Sequence, residues 1–419
     1  MLHSRSTRSH PARLLLALFL LLLAPLRALA ADYEAAPVLE AKKILPAKLL
    51  RGKGWHVAER VPTDGLTTQF AIQSDVGSFP ARGRRILELR EMEIGALQKL
   101  HAMEDSKVFT AALKSTAERP LKAAVNIVKN PAETLKGLPE GVGRFFDRVS
   151  SGAERVYDAA ASARSAGEGA AMVASKGLEA TRDALGYEQE RRNLAKRLGV
   201  DPYTSNKELT EALDHVAYVA FAGRLGVNTL ISVVVPGSLA ITGTTVTNDL
   251  VYETSRGDLI VRVEERLRSI GATDEQLRAF QKNPNLTLSI QTGIAESLAR
   301  LDGVAGRPAA VDLAAGVTSE DQARFVLEGL VLLATHHGKE KRIGELLVRG
   351  PIVARATDGT LVVPAPIDYV SWTERVARFA DREDLAAPNR AILLTGQTTP
   401  RAKRELQGRG WTLRENVRL

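Results

Sequence analysis

The sequence predicts a mainly α chain with a long Ala-rich amphipathic helix and small α/β elements at its N- and C-terminal ends. Three observations carry this. Apolar and small residues recur at steps of three or four from Val142 to Leu185, about six heptads of helical seam. Three hydroxyl residues followed by Glu or Gln three positions later punctuate the stretch from Pro202 to His337, the spacing of helix starts. Period-two apolar runs bounded by Gly, Pro and Asp lie near the two ends, where they read as strands. The chain divides into five segments: a signal peptide at 1–30, a small α+β segment at 31–115, the Ala/Gly-rich helical segment at 116–200, a helical bundle at 201–340 and a C-terminal α/β module at 341–419.

Arg5, Arg8 and Arg13 precede the uncharged run Leu14 to Ala24, and Ala28-Leu29-Ala30 offers the small residues that a signal peptidase reads. The run is about half the roughly 20 residues needed to cross a bilayer, so the segment reads as a cleaved signal. Cleavage after Ala30 removes four Arg and no acid, taking Lys+Arg from 57 to 53 against 49 Asp+Glu. The basic balance therefore belongs largely to the signal, and no nucleic-acid partner is expected. With no cysteine in the chain, disulfides, thiolate metal sites and cysteine nucleophiles are excluded, which suits a bacterial envelope protein held by its own core.

In the second segment, Trp55, Val57 and Val61 lead to Asp64-Gly65, a hairpin dipeptide, after which Phe70 and Ile72 alternate. A two- or three-stranded element is expected, covered by a helix from Ile86 through Leu89, Ile94, Leu97 and Leu100. The third segment carries the seam. Most of its seam residues after Val156 are Ala or Gly, and at about 25 cal/mol per Å² each buries little, so the helix needs a partner surface, its own neighbours or another molecule. Its opposite face mixes Arg144, Arg148 and Arg155 with Asp147, Glu154 and Asp158, which weakens a preference for anionic lipid. The candidate interaction surface is Val142, Phe145, Phe146, Val149, Ala163 and Ala170.

In the fourth segment, Ser205 with Glu208, Thr273 with Gln276 and Ser319 with Gln322 place three helix starts, and Gly271 and Gly338 are read as helix ends. Leu225 to Asn248 is 24 residues without a formal charge, which reaches membrane-spanning length. Pro236-Gly237 interrupts it and an acidic flank comes after it, so a buried core helix or helical hairpin is the expectation, with a membrane anchor at 225–241 as the alternative. In the last segment, Leu346 to Ala356 and Leu361 to Val363 flank Asp358-Gly359 as a hairpin. Tyr369 to Ala380 reads as a helix, Ala391 to Leu394 as a strand, Pro400 to Gln407 as a helix and Trp411 to Val417 as a closing strand.

The chemical motifs are weak. Gly396-Gln397-Thr398-Thr399-Pro400 sits where a strand meets a helix, yet Thr399 before Pro400 is an ordinary helix cap. His336-His337 point about 100 degrees apart on a helix and do not chelate one metal. A charged imidazolium near a helix C-terminus is the expectation there. No Gly-x-Ser-x-Gly or Ser-x-x-Lys occurs, and Asp75, Asp302, Asp312 and Asp368 cannot be ranked as catalytic acids, Asp368 reading as the cap of the helix bearing Trp372. No catalytic residue, cofactor or metal site is assigned. The expectation is an exported, non-catalytic periplasmic interaction or scaffold protein with an envelope protein or a membrane surface as partner. The contrasting expectation is a periplasmic hydrolase with its cleft between the helical and C-terminal α/β parts.

Overall fold

A computed structural model describes residues 33–117, 186–231, 235 and 241–419. Its contacts divide the chain into two compact units, Met1–Glu34 and Ala35–Leu419, and every described helix and strand belongs to the second. The chain is mainly helical with several sheets. The expected signal segment at 1–30 and the expected seam residues from Val142 to Leu185 lie outside the described residues.

The N-terminal sheet has four strands, β2 (Arg51–Gly52), β3 (Trp55–Val57), β5 (Gln69–Ser74) and β6 (Gly77–Arg82), with β1 (Val38–Glu40) and β4 (Arg60–Pro62) paired beside it. It is larger than its sequence suggests. The long hairpin is β5 with β6, turning at Asp75-Val76, and Asp64-Gly65 instead forms a short turn closed by one Thr63–Thr68 bridge. Helix α2 (Arg84–Glu104) covers the sheet as expected, with Ile86, Leu87 and Ile94 packed on Val57, Phe70 and Ile72. α1 (Ala41–Ile44) is a single turn at its edge.

The helical layer comprises α3 (Lys107–Ala117), α4 (described over 186–198), α5 (Lys207–Ala222), α6 (Val227–Leu230), α7 (Thr245–Glu253), α8 (Arg256–Ser269), α9 (Asp274–Lys282), α10 (Leu288–Arg300), α11 (Arg307–Ala315) and α12 (Glu320–Lys339). Most starts are capped by Ser, Thr or Asn. Thr273 and Gln276 form the full reciprocal box, and Ser319 caps α12 while Gln322 turns back to the Thr318 N–H instead. The Ser205 assignment is one residue off. Asn206 caps α5 by accepting from Leu209, because Ser205 spends its hydroxyl on Glu320. Gly271 ends α8 at φ +92, whereas Gly338 lies inside α12, which runs on to Lys339.

The uncharged stretch from Leu225 is not one helix through its described parts. α6 is four residues long, Ile231 is extended and Ile241 to Gly243 lie outside any helix. Among the described residues no helix is long and apolar enough to cross a membrane.

The C-terminal sheet has five strands in the order β13-β11-β9-β8-β7, formed by β7 (Ile343–Val348), β8 (Ile352–Ala356), β9 (Leu361–Ala365), β11 (Arg390–Leu394) and β13 (Trp411–Arg414). The segment Leu346 to Ala356, expected as one strand, is two. Gly350 at φ +83 and Pro351 turn the chain, since proline has no N–H to donate to a ladder and its ring fixes the corner. β7, β8 and β9 form an antiparallel meander, and β9, β11 and β13 run parallel with α13 (Glu374–Ala380) and α14 (Pro400–Gly408) between them. One face of the sheet packs on α10, α11 and α12, the other on α13 and α14 with Trp372 and Trp411. Tyr369 and Val370 form the short strand β10 rather than the start of α13, pairing with β12 (Gln397–Thr398).

Candidate functional site

In an open sheet with parallel strands, ligands bind outside the strands' carboxyl ends. Here those ends lead into Pro366 to Val370 after β9, Thr395-Gly396 after β11 and Glu415-Asn416 after β13. The crevice is occupied by the protein itself. Gly396 approaches so closely that a Cβ there would sit 2.0 Å from the Asp368 carbonyl oxygen, and Thr399 caps α14 through the Ala402 N–H. The glycine loop is therefore a connection between strand and helix, with Thr398 donating to Glu415.

Asp368 has a different role from the one its sequence position implies. Thr373 caps α13, and Asp368 reaches the N-terminal module. Its carboxylate accepts from the Thr68 N–H at 3.0 Å, from the Thr68 hydroxyl and from the Arg84 N–H at 3.1 Å. The reason lies in Gly83, the residue before α2, which has no side chain to cap the helix. A helix start leaves N–H groups without intrahelical partners, and a carboxylate there also meets the favourable end of the helix dipole. Burial raises the Asp368 pKa against these hydrogen bonds. The Gly65 and Leu66 carbonyls, accepting from Ser371 and Tyr369, complete the junction, and a Cβ on Gly65 would collide with Thr373 at 2.5 Å.

A second polar centre links α2, the loop 201–206, α10 and α12. Glu93, 1 % exposed, accepts from Arg90 at 2.5 Å, Thr204 at 2.8 Å and Asn206 at 3.0 Å. Glu320 accepts from Ser205 at 2.6 Å and Arg324 at 2.8 Å. Burial disfavours its charge, but Arg324, Ser205 and Arg90 outweigh that and lower its pKa. Asp201 is raised by burial, with Ser289 and the Tyr203 N–H opposing, and Glu328 is raised by burial despite Arg85. The bonded groups point at one another, as in a network that fixes how elements pack, while Asp201 Oδ2 and Arg85 Nε are enclosed without a hydrogen bond.

Other sequence candidates are dispersed. Asp75 accepts from Gln98 and Asp312 from Gln276, both at 2.7 Å, and Asp302 accepts from the next N–H in the chain. His336 faces Glu340 at 2.8 Å, while His337 accepts from the Ile343 N–H at 3.0 Å, so the two rings diverge as expected. The expected charged state is corrected: burial lowers both pKa values, aided by Arg414 at His336 and Arg342 at His337. Among the described residues no group of three or more His, Cys, Asp or Glu is arranged to hold a metal.

A groove of about 280 Å³ lies between α11, α12 and the β7–β8 hairpin, bounded by Leu313, Val317, Phe325, Val326, Ile352 and Pro364. Gln322 supplies the polar side chain of its lining. A second hollow of about 260 Å³ is edged by Asp249, Glu253, Arg262 and Glu296, where Arg262 pairs with Glu296 at 2.7 Å and Lys196 with Glu253.

The interaction candidates Val142, Phe145, Phe146, Val149, Ala163 and Ala170 lie outside the described residues, but the flanks of their segment are placed. Ala112 on α3 lies against Gly223, and Gly186 at the start of the described part of α4 lies against Phe221. Both flanks therefore reach the C-terminal end of α5. Phe109, Ala112, Leu194 and Leu198 from the two sides share a single core with Leu213 and Val216. Comparison of the chain with protein-family models, curated proteins and solved structures gives no match.

Proposed function

We propose that this is an exported envelope protein acting as a non-catalytic interaction or scaffold protein, with the seam Val142 to Leu185 as its interaction element. The observation that supports this is the placement of the two flanks at one end of α5. The described residues on either side of 118–185 meet at the same place and share one core. A seam of small residues lets a partner approach closely, and tightly packed, desolvated patches carry binding energy. The groove between the helical and C-terminal parts, where a hydrolase cleft is expected, has no acid, base or nucleophile in its lining, which favours the interaction reading over hydrolysis.

Ala163→Leu and Ala170→Leu test the reading. Overpacking a tight internal contact costs about 1–3 kcal/mol, whereas the same bulk on a partner surface leaves the isolated protein stable. Thermal stability within error of the parent, together with loss of an envelope protein that cross-links to the parent chain, is the expected result. A clear fall in melting temperature of the purified monomer places the seam in the protein's own core. Unchanged stability with unchanged cross-linking removes the seam from any interface.

A further inference from the structure

The groove of about 280 Å³ between α11, α12 and the β7–β8 hairpin has its cause in the sheet beneath it. The β8–β9 pairing covers Ala354–Val362 and Arg355–Leu361, although β8 begins at Ile352 and β9 runs on to Ala365. Pro364 has no N–H to give the next rung, so the two strands part there, under α12. Gly316 and Gly350 lie at the edge of the gap and add no side chain to fill it. A Cβ on Gly329 would touch Pro364 at 3.7 Å, so helix and sheet close up at that end.

The lining is graded. Val326, Gly329, Ile352 and Pro364 are buried, whereas Gln322, Phe325 and Gly350 are exposed, and Phe325 shows 37 % of its surface. The groove therefore has an apolar floor and an open mouth. Gly329 follows Gln322 by seven positions, about 10 Å of helix at 1.5 Å per residue. A hollow with such walls holds water poorly and takes apolar groups.

The mouth carries two polar groups with nothing to bind. The Gln322 amide oxygen accepts from the Thr318 N–H at 2.8 Å and from its hydroxyl at 3.1 Å, and the Gln322 amide nitrogen makes no hydrogen bond among the described residues. Arg349 precedes Gly350 and is exposed, and its guanidinium has no hydrogen bond or ion pair among the described residues. The acids at this end are already matched. Arg382, beside Gly350, holds Asp384 through two bonds at 2.9 and 2.7 Å while donating to the Arg349 carbonyl at 2.6 Å, and Asp321 faces Arg82 at 3.5 Å. The charge of Arg349 is left over.

We propose that the groove is a binding site for a medium-chain fatty acid in its carboxylate form. The alkyl chain lies along α12 over Val326, Ile352 and Pro364, and the carboxylate receives the Gln322 amide and the Arg349 guanidinium. A neutral alkyl ligand fills the same floor but leaves the Arg349 charge to water. The site makes no use of the seam.

The full chain is titrated with octanoate, 1-octanol and butyrate, each below the concentration at which it self-associates, and heat release and melting temperature are followed. Octanoate is expected to saturate one site and to raise the melting temperature by mass action. 1-Octanol is expected to bind about fivefold more weakly, the upper end for an exposed ion pair, and butyrate to show no saturable binding because its chain ends short of the floor. Arg349→Gln, a change on an exposed side chain, is expected to leave the ligand-free melting temperature unchanged and to bring octanoate down to the affinity of 1-octanol. Val326→Phe, which fills the floor, is expected to abolish octanoate binding. No saturable binding of octanoate by the parent chain, or equal affinities for octanoate and 1-octanol, overturns the proposal. So does octanoate binding that survives Val326→Phe, which places the ligand elsewhere. A parent dimer in sedimentation that Val326→Phe dissociates overturns it as well, by making a second copy of the chain the occupant of the groove.

Discussion

Asp368 shows how a side chain's duty arises from what another residue lacks. Gly83 leaves α2 uncapped, and the carboxylate that takes its place stands 284 positions away. Asp368→Ala deprives the Arg84 and Thr68 N–H groups of an acceptor, which costs about 1–3 kcal/mol when the site is partly buried. Urea unfolding is expected to show a loss of that size, with Asp368→Asn in between, since an amide oxygen still accepts while avoiding a charge that burial disfavours. An Ala variant as stable as the parent removes Asp368 as the cap. The sequence suggests a local cap because capping patterns are recognised across three or four residues, and nothing in that window reports a partner so distant. Thr273 and Gln276 are legible for the converse reason: their reciprocal bonds need only each other.

Among the elements, α12 carries a titratable end. His336 and His337 both have pKa values below the ordinary 6.5, chiefly through burial. The unfolded chain therefore takes up protons at a higher pH than the folded one, and stability rises with pH across that interval. This contribution is complete above about pH 6.5 and is lost as the pH falls through the folded values. The urea midpoint is expected to drop on acidification through this window and to drop less in a His336→Gln, His337→Gln protein. An equal decline in both would assign the effect to other groups. Element boundaries in the C-terminal module were readable where turn chemistry was local, as at Asp358-Gly359 and Thr399-Pro400. The β7–β8 corner was hidden by the apolar run around it, even though Arg349-Gly350-Pro351 carries the turn residues in plain view.

At the scale of the molecule, the mainly α class and the α/β C-terminal module were legible from periodicity. What periodicity could not supply is the assembly: the C-terminal sheet shares a core with α10, α11 and α12, and α2 belongs both to its own sheet and to the helical layer. Adjacent segments look separate in sequence because each has its own period, but a shared core is a property of faces that meet. The proposed export is tested at this scale too. N-terminal sequencing of the envelope fraction is expected to read Ala31 first, and a full-length chain recovered from the cytoplasm would refute it.

The lock between Asp368 and Arg84 also sets an order in time. Synthesis proceeds from the N-terminus, so the α2 N–H groups are made well before the carboxylate that receives them. At about 5–20 residues per second, 284 residues take roughly 15 to 60 s. Until Asp368 is made, the Thr68 and Arg84 N–H groups have no carboxylate to receive them, so the N-terminal module cannot be completed from its own residues alone.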